Sequence, residues 1–166
     1  MININIEIFR HNIVEYALTF LNKKYTWGSY GNLEFDEAGF TWYIYKILFD
    51  IDINENGYGL DDTTKQMTSS VGNLTIYIEN DSNKNKYINN INIGDLLFFH
   101  KKSLEDNVAL ANNRYPGDVG IYIGDNKFIH ASNTCNKITI DKLDDYWLKI
   151  LVASKDIVDS ILKRDS

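Results

Sequence analysis

The sequence is poor in the residues that mark fibrous, disulfide-rich and membrane proteins. It contains 1 proline, 10 glycines and 1 cysteine among 166 residues. So little glycine and proline excludes collagen-like and low-complexity chains. The single cysteine, Cys135, excludes an intramolecular disulfide. Because no apolar run approaches the roughly 18 residues of a membrane helix, we expect a globular domain without a membrane span.

Basic residues are also scarce. The chain has 17 Lys and Arg against 23 Asp and Glu, a formal net charge of −6. No basic stripe alternates with aromatic side chains, so nucleic acid is not an expected partner. Hydrophobic residues make up 44% of the chain and aromatic residues 13%. This content excludes intrinsic disorder and supplies the core of a single domain over residues 1–166.

The N-terminus lacks the basic start and continuous apolar stretch of a signal peptide. Lysine outnumbers arginine, and Asn and Ile are abundant, as in proteins from AT-rich genomes. We therefore expect a protein of a low-GC bacterium or its phage. The expected location is the bacterial cytoplasm, or a phage or phage-tail-like particle that acts at the cell wall.

Helical periodicity is concentrated in the first part of the chain. Residues 2–8 alternate between apolar and polar side chains, which predicts a short strand or extended arm. Apolar residues then recur at helical spacing over 9–21. A second helix, from near Asp36 to about Phe49, is apolar on most sides and is therefore predicted to be central. Two short helices are predicted, around 62–69 and over 155–163.

The remainder of the chain has the features of β-structure. Gly124-Asp125-Asn126 predicts a tight turn between two strands of a hairpin. The polar stretches 79–90 and 101–117 are interpreted as surface insertions. Helices followed by strands indicate an α+β fold, in which a central N-terminal helix packs on an antiparallel β-sheet. The predicted strands are 73–78, 95–100, 118–124, 127–131, 137–141 and 148–153.

Three motifs in order resemble one known family. The first is Tyr25-Thr26-Trp27-Gly28 followed by Phe35-Asp36-Glu37-Ala38-Gly39-Phe40. The second is Gly94-Asp95-Leu96-Leu97-Phe98-Phe99. The third is Asp118-Val119-Gly120-Ile121-Tyr122-Ile123-Gly124 followed by Ile129-His130-Ala131-Ser132. Together they are similar to the motifs of the NlpC (p-sixty) family of bacterial cell-wall cysteine peptidases.

The resemblance implies a papain-like fold with a core over about residues 9–152, a short N-terminal arm and a C-terminal helix. In this family a cysteine at the N-terminus of the central helix is the nucleophile, where the helix dipole favours the thiolate. A histidine at the start of a facing strand is the base, and a third polar residue orients it. The usual substrate is a peptide bond of the peptidoglycan stem peptide.

This sequence departs from the family pattern at two of the three catalytic positions. The resemblance places Glu37 at the nucleophile position and Asp118 at the base position, and only the third member is retained, as His130. Ala38 follows Glu37 where the family has serine. A carboxylate cannot replace a thiolate in ordinary amide cleavage, because it would form an anhydride while expelling an amine. An aspartate with the usual pKa near ~4 is also a poor base at neutral pH.

Other chemistry at these positions stays open. The fold is expected to bring Glu37, Asp118 and His130 close together, and two carboxylates with a histidine would suit a divalent metal. The two carboxylates would alternatively share a proton. Nothing else in the sequence has metal-ligand spacing, so we expect no metal and no cofactor. Cys135 follows the His130 strand without a recognisable base and is interpreted as incidental.

Three further residues are candidates for substrate binding by the same resemblance, and each has a structural alternative. Tyr25 and Trp27 line the groove in the family, although aromatic side chains also serve packing. Asp36 contacts substrate or caps the central helix. Gly39 is expected to allow close helix–sheet packing.

Three functions follow from these observations. The first is an inactive NlpC-type domain that keeps a groove for the peptidoglycan stem peptide. The second is a cell-wall hydrolase that works by altered carboxylate or metal chemistry. The third is a structural or interaction component with partners in a phage-tail or cell-envelope assembly.

Overall fold

A computed structural model describes residues 2–31, 33–57, 59, 62–77, 88–100 and 116–164. The two predicted surface insertions, 79–90 and 101–117, lie almost entirely outside these residues. None of the helices in the described ranges is long and apolar enough to cross a membrane. The helices are α1 (Ile2–Leu18), α2 (Glu37–Phe49), α3 (Asp62–Thr68), α4 (Asp145–Ile150) and α5 (Val158–Arg164).

The first helix is longer than predicted. The extended arm predicted for residues 2–8 is wrong, because α1 begins at Ile2. Ile6 and Phe9 pack against the main core, and Ile13 and Ala17 are fully buried in it. These positions are three or four residues apart, so the early residues continue the buried stripe of the helix. The alternating pattern of residues 2–8 was compatible with a strand only in isolation.

The central helix matches its prediction. Asp36 adopts an extended conformation, and its side chain accepts a hydrogen bond from Gly39 N, which caps α2. Asp50 ends the helix in a left-handed conformation with φ of 52°. The buried face of α2 includes Phe40, Ile44 and Tyr45, each with no exposed surface. The helix therefore lies between α1 and the sheet.

The described strands form one sheet in the order β2-β3-β1-β8-β7-β6-β5-β9-β4. Neighbouring strands are antiparallel except β1 and β3, which are parallel. Three two-residue strands, which precede α2, are additional to the strands predicted from the sequence. The strands are β1 (Lys24–Tyr25), β2 (Tyr30–Gly31), β3 (Glu34–Phe35), β4 (Asn73–Ile76), β5 (Leu96–His100), β6 (Pro116–Gly124), β7 (Lys127–Ser132), β8 (Lys137–Lys142) and β9 (Leu151–Asp156).

The predicted strand over 148–153 is wrong in its first half. Asp144 caps a short helix by accepting a hydrogen bond from Trp147 N, and this helix, α4, extends to Ile150. Strand β9 begins only at Leu151 and ends at Asp156. The closing helix consequently begins at Val158 rather than at residue 155. A local cap thus overrides the β-propensity of the apolar residues that follow it.

The predicted hairpin turn is confirmed. Asp125 and Asn126, between β6 and β7, have φ values of 51° and 59°. Two successive left-handed residues are typical of the type I′ turn, which matches the twist of the strands it joins. The turn sets β6 beside β7, which carry Asp118 and His130 respectively.

The sheet has an apolar core on each face. The larger core lies between the sheet and α1 and α2, and includes Val119, Ile129 and Ala131. The smaller core lies on the opposite face, where the rings of Phe99, Phe128 and Trp147 meet with centroids 4.8–5.0 Å apart. Alternation along β7 sends Phe128 to one core and Ile129 to the other.

Candidate functional site

The N-terminus of α2 is joined to the preceding loop through one carboxylate. Asp36 accepts a hydrogen bond from Gly39 N at 2.7 Å on Oδ1 and from Gly28 N at 2.9 Å on Oδ2. Asp36 is buried and caps the helix. The capping role expected as one alternative for Asp36 is therefore present, and its substrate contact stays a prediction.

Gly39 allows this loop to lie directly on α2. A Cβ atom at Gly39 would be 2.2 Å from Ser29 O and 2.8 Å from Tyr30 Cα. Both are backbone atoms, which cannot move aside as a flexible side chain would. The close approach expected for Gly39 is thus made to the edge strand β2 at Tyr30 and to Ser29 just before it.

Glu37 occupies the first turn of α2 and is paired with Tyr25 of β1. The Tyr25 hydroxyl donates a hydrogen bond to Glu37 Oε2 at 2.9 Å, and both residues are buried. Burial and then the Glu37 carboxylate raise the pKa of Tyr25 well above its usual value, and the charges of Asp36 and Asp118 add to this. Tyr25 is therefore a neutral phenol that donates to Glu37 at physiological pH. The carboxylate also lies where the helix dipole favours negative charge.

His130 lies between two carboxylates on adjacent strands. Its Nε2 is 2.7 Å from Asp141 Oδ2 on β8, and its Nδ1 is 3.5 Å from Asp118 Oδ2 on β6. The ring is 1% exposed. Burial by itself would lower the pKa of His130, but the two carboxylates outweigh it and raise the pKa to about 9. The histidine is therefore an imidazolium at neutral pH, and it lowers the pKa of Asp141 in return.

Asp141 was not identified from the sequence. In the β7–β8 ladder His130 pairs with Thr139, so Asp141 is two residues further along the same face of β8. Diagonal neighbours of this kind are within reach of longer side chains. Knowing the register of the β7–β8 hairpin would have identified Asp141. That register depends on the length of the turn between Ser132 and Lys137, which the sequence pattern did not determine.

Unsatisfied polar atoms are concentrated at the site. Of the five buried side-chain polar atoms without a hydrogen bond in the described residues, two are Asp118 Oδ1 and His130 Nδ1. The 3.5 Å contact between His130 and Asp118 is an ion pair that is too long for a well-formed hydrogen bond. A third such atom is Thr26 Oγ1, which follows Tyr25 in the chain. Buried polar atoms normally have a partner, and a water or a bound group would supply one at these atoms.

Two apolar side chains between β1 and β3 are exposed to solvent. Trp27 is 77% exposed, and Leu33, just before β3, is 65% exposed. Trp27 therefore does not serve the core packing that was its structural alternative. Its binding role stays a prediction.

The candidate metal ligands form no metal centre by themselves. In the described ranges, no group of three or more His, Cys, Asp or Glu side chains is arranged to hold a metal ion. Cys135 is exposed in the turn after β7, where its backbone N–H donates to Ser132 Oγ. The structure thus pairs Tyr25 with Glu37 and places His130 between Asp118 and Asp141. The charge of Asp118 acts on Tyr25, which links the two groups, and within the described part of the chain no hydrogen bond joins Cys135 to either.

Comparison with known proteins identifies the family. A sequence profile of the NlpC/P60 family matches residues 22–156. The chain belongs to the NlpC/P60 family. The match contains every strand of the sheet and α2, so the NlpC/P60 region includes Tyr25, Glu37, Asp118, His130 and Asp141. No curated protein matches the sequence.

Solved structures share the fold. NlpC2 from Trichomonas vaginalis is similar over 89% of this chain and 46% of its own, with 23% identity and a TM-score of 0.63. The NlpC/p60 domain of the peptidoglycan hydrolase SagA is similar over 87% of this chain and 96% of its own, with 23% identity and a TM-score of 0.56. The peptidoglycan hydrolase RipB from Mycobacterium tuberculosis has 14% identity over 89% of this chain and 65% of its own, with a TM-score of 0.54.

This chain spans less than half of the two Trichomonas vaginalis proteins, 46% and 43% of their lengths. At these identities the similarity establishes the fold. The predicted papain-like, NlpC-type α+β fold, with a central helix on an antiparallel sheet, is confirmed.

Proposed function

We propose that this NlpC/P60 domain binds peptidoglycan stem peptides without cleaving them. The substrate class comes from its structural neighbours, of which SagA and RipB are named as peptidoglycan hydrolases. We infer the absence of cleavage from the motif alignment, because it places Glu37 at the nucleophile position and Asp118 at the base position. Such a domain would act at the cell wall, reached either from a bacterial cytoplasm or as part of a phage or phage-tail-like particle.

The observation that carries the proposal is the charge state of His130. An imidazolium held between Asp118 and Asp141, with its pKa raised to about 9, has no free nitrogen to accept a proton at neutral pH. A general base needs the opposite, a neutral nitrogen with a pKa near the working pH. Glu37, for its part, accepts a hydrogen bond from Tyr25. We therefore infer that the family mechanism has no working nucleophile or base here: Glu37 and Asp118 are carboxylates, and His130, the third member, is already protonated at neutral pH.

Retention of binding is supported by the unpaired atoms at the site. Asp118 Oδ1 is buried and lacks a donor. Leaving a buried carboxylate oxygen without a hydrogen-bond donor costs more than the ~1–3 kcal/mol that an unpaired neutral group costs. The N–H groups of a peptide would supply such a donor, and exposed Trp27 lies on the loop that follows Tyr25.

The test separates binding from cleavage. Purified muropeptides would be incubated with the chain, products would be measured by mass spectrometry, and binding would be measured by calorimetry. We expect saturable binding and no product. A Glu37→Cys, Ala38→Ser, Asp118→His variant in a Cys135→Ser background is expected to cleave. The matched control carries Glu37→Ser with the other three changes, and it is expected to bind without cleaving.

Either of two results would contradict the proposal. Product formation by the unmodified chain, lost in Glu37→Gln, would show that carboxylate chemistry operates. If the unmodified chain unfolds cooperatively on heating, and is therefore folded, but does not bind muropeptides, the groove is not retained. Chelator-sensitive cleavage would favour the metal alternative, which has no group of three ligands in the described residues to support it.

A second candidate function rests on the exposed apolar side chains beside the site. Trp27 and Leu33 are exposed by 77% and 65% within one short segment. Exposed apolar groups that form a patch are typical of protein-binding surfaces. We propose, as this second candidate, an interaction component of a phage-tail or cell-envelope assembly. Loss of a copurifying partner in Trp27→Ser, with muropeptide binding unchanged, would favour it.

A further inference from the structure

A cavity lies at the β4 edge of the sheet, away from His130. Its volume is about 260 Å³, and strands β4 and β9 form its floor. Strands β5 and β6 separate β9 from β7, so the cavity is distinct from the site at Glu37 and His130. Within the described part of the chain, each residue that lines it carries a polar group: Asn73, Thr75, Tyr77, Asn90, Asn92, Asp95, Ser154 and Asp156.

The polar lining lies at one edge of a sheet face whose centre is the smaller apolar core. Thr75 pairs with Ser154, and Ser154 pairs on its other side with Leu97 of the smaller core. Directly opposed residues point to the same face. Leucine or valine at Thr75 and Ser154 would simply have extended that core. A cavity lined instead by hydroxyl, amide and carboxylate groups is suited to hold water or a polar ligand.

The protein already supplies the cation for the carboxylates of this cavity. Arg10 is 6% exposed, and it donates to Asp95 Oδ1 at 3.1 Å and to Asp156 Oδ2 at 2.7 Å. Asn92 N donates to Asp95 Oδ2, and Asp159 N donates to Asp156 Oδ1. Each carboxylate oxygen is thus held by one donor and can accept a second. A metal ion is not needed, and a neutral ligand with hydroxyl donors fits better than a second cation.

The remaining groups both donate and accept. Tyr77 OH and Ser154 Oγ are 2.6 Å apart, and both residues are buried. The Thr75 hydroxyl lies across from them on β4, and the amides of Asn90 and Asn92 stand at the rim. Hydroxyls and amides in this density match the hydroxyl groups of a sugar, each of which donates one hydrogen bond and accepts others.

We propose that this cavity binds a neutral, polyhydroxylated ligand of the size of a single sugar ring. The volume is several times the ~30 Å³ that one water occupies in the liquid, which is enough for one sugar ring. The site is independent of the function proposed for the groove, because it uses neither Tyr25 nor Glu37.

The experiment is an amide-resolved NMR titration of the full chain with glucose, N-acetylglucosamine and, as a cationic probe, methylammonium chloride. We expect either sugar to shift the amides of Thr75 and Asn92 saturably. Methylammonium is expected to leave them unchanged. Thr75→Val removes one hydroxyl without changing the shape of the side chain. It is expected to weaken sugar binding about fivefold, the value of one ordinary hydrogen bond.

The matched control is Thr139→Val on β8, which is expected to bind as the unmodified chain does. Absence of saturable shifts with both sugars up to about 100 mM, beyond the millimolar range of weak specific binding, would overturn the proposal. Saturation by methylammonium would overturn the neutral ligand class. If Thr75→Val and the unmodified chain bind the sugar with equal affinity, the Thr75 hydroxyl does not contact it, and the proposed site is refuted.

Discussion

The ion pairs of His130 predict a specific loss of stability between pH 6.5 and 9. The histidine has an ordinary pKa of 6.5 when the chain is unfolded and about 9 in the fold. The folded state therefore holds this proton more tightly. The stabilisation is fully present below about pH 6.5 and is lost as the pH rises through the folded pKa. A shift of this size corresponds to about 3 kcal/mol of unfolding free energy.

Two other buried groups also change the unfolding free energy over this pH range. Their contributions must be separated from that of His130. Burial and the charge of Asp156 raise the pKa of Asp95 to about 7, so the stabilisation from this carboxyl falls as the pH rises towards 7. Burial lowers the pKa of Lys155 to about 8, so stability rises again between about pH 8 and the ordinary lysine value. The raw profile is therefore a sum of opposing slopes, and only a difference between variants isolates His130.

The perturbation is His130→Gln, measured by urea unfolding with tryptophan fluorescence at intervals from pH 6 to 9.5. Its absolute destabilisation includes the cost of leaving Asp118 and Asp141 without a cation. The informative quantity is how the difference from the unmodified chain changes with pH. We expect that difference to shrink by about 3 kcal/mol across the range. His11→Gln is the control, because the His11 side chain is 72% exposed on α1.

A difference that stays constant within about 0.5 kcal/mol, near the error of such extrapolations, would refute the reasoning. So would an NMR titration in which the imidazole of His130 has a pKa near 6.5. In that case His130 would be neutral at pH 7, and the argument against base catalysis would fail with it.

Three further changes test the packing of the site. Tyr25→Phe leaves Glu37 Oε2 without its donor and should destabilise the fold by about 1–3 kcal/mol in urea, whereas Tyr146→Phe at an exposed ring should have little effect. Gly39→Ala places a methyl group against Ser29 O and Tyr30 Cα and should cost about 1–3 kcal/mol or more. An unchanged melting temperature would contradict this. Gly59→Ala is the control, because among the described residues its methyl group meets the flexible end of Lys65 at 3.4 Å. Asp144→Ala removes the cap of α4 and should cost about 1 kcal/mol, with Asp145→Ala as the neighbour that does not cap.

The elements that local signals specify were predicted well. Asp36 is a favoured capping residue before an apolar run, and α2 begins directly after it. The Gly124-Asp125-Asn126 turn fixed the β6–β7 hairpin because its residues tolerate left-handed conformations. These signals lie within a few residues of the feature they determine. They required no knowledge of the rest of the fold.

The errors have two origins. The cap at Asp144 that starts α4 is a local signal, and the prediction followed the apolar residues after it instead. The start of α1 depends on what packs against Ile6. At the site, the motif alignment brought Glu37, Asp118 and His130 together, but the contact of Asp141 with His130 depends on the β7–β8 register. Interactions that cross between elements are specified by the whole fold, so single-sequence periodicity does not show them.

Arg10 determines when the chain can fold during its synthesis. Its guanidinium is buried and joins Asp95 to Asp156, partners that follow it by 85 and 146 residues. Losing one carboxylate partner of a buried charge is unfavourable. Until Asp156 has been made, Arg10 lacks the shorter of these two ion pairs, so helix α1 docks less favourably in its final place. We expect a nascent chain that ends before β9 to remain sensitive to proteases, and folding to be completed only when the last strand is available.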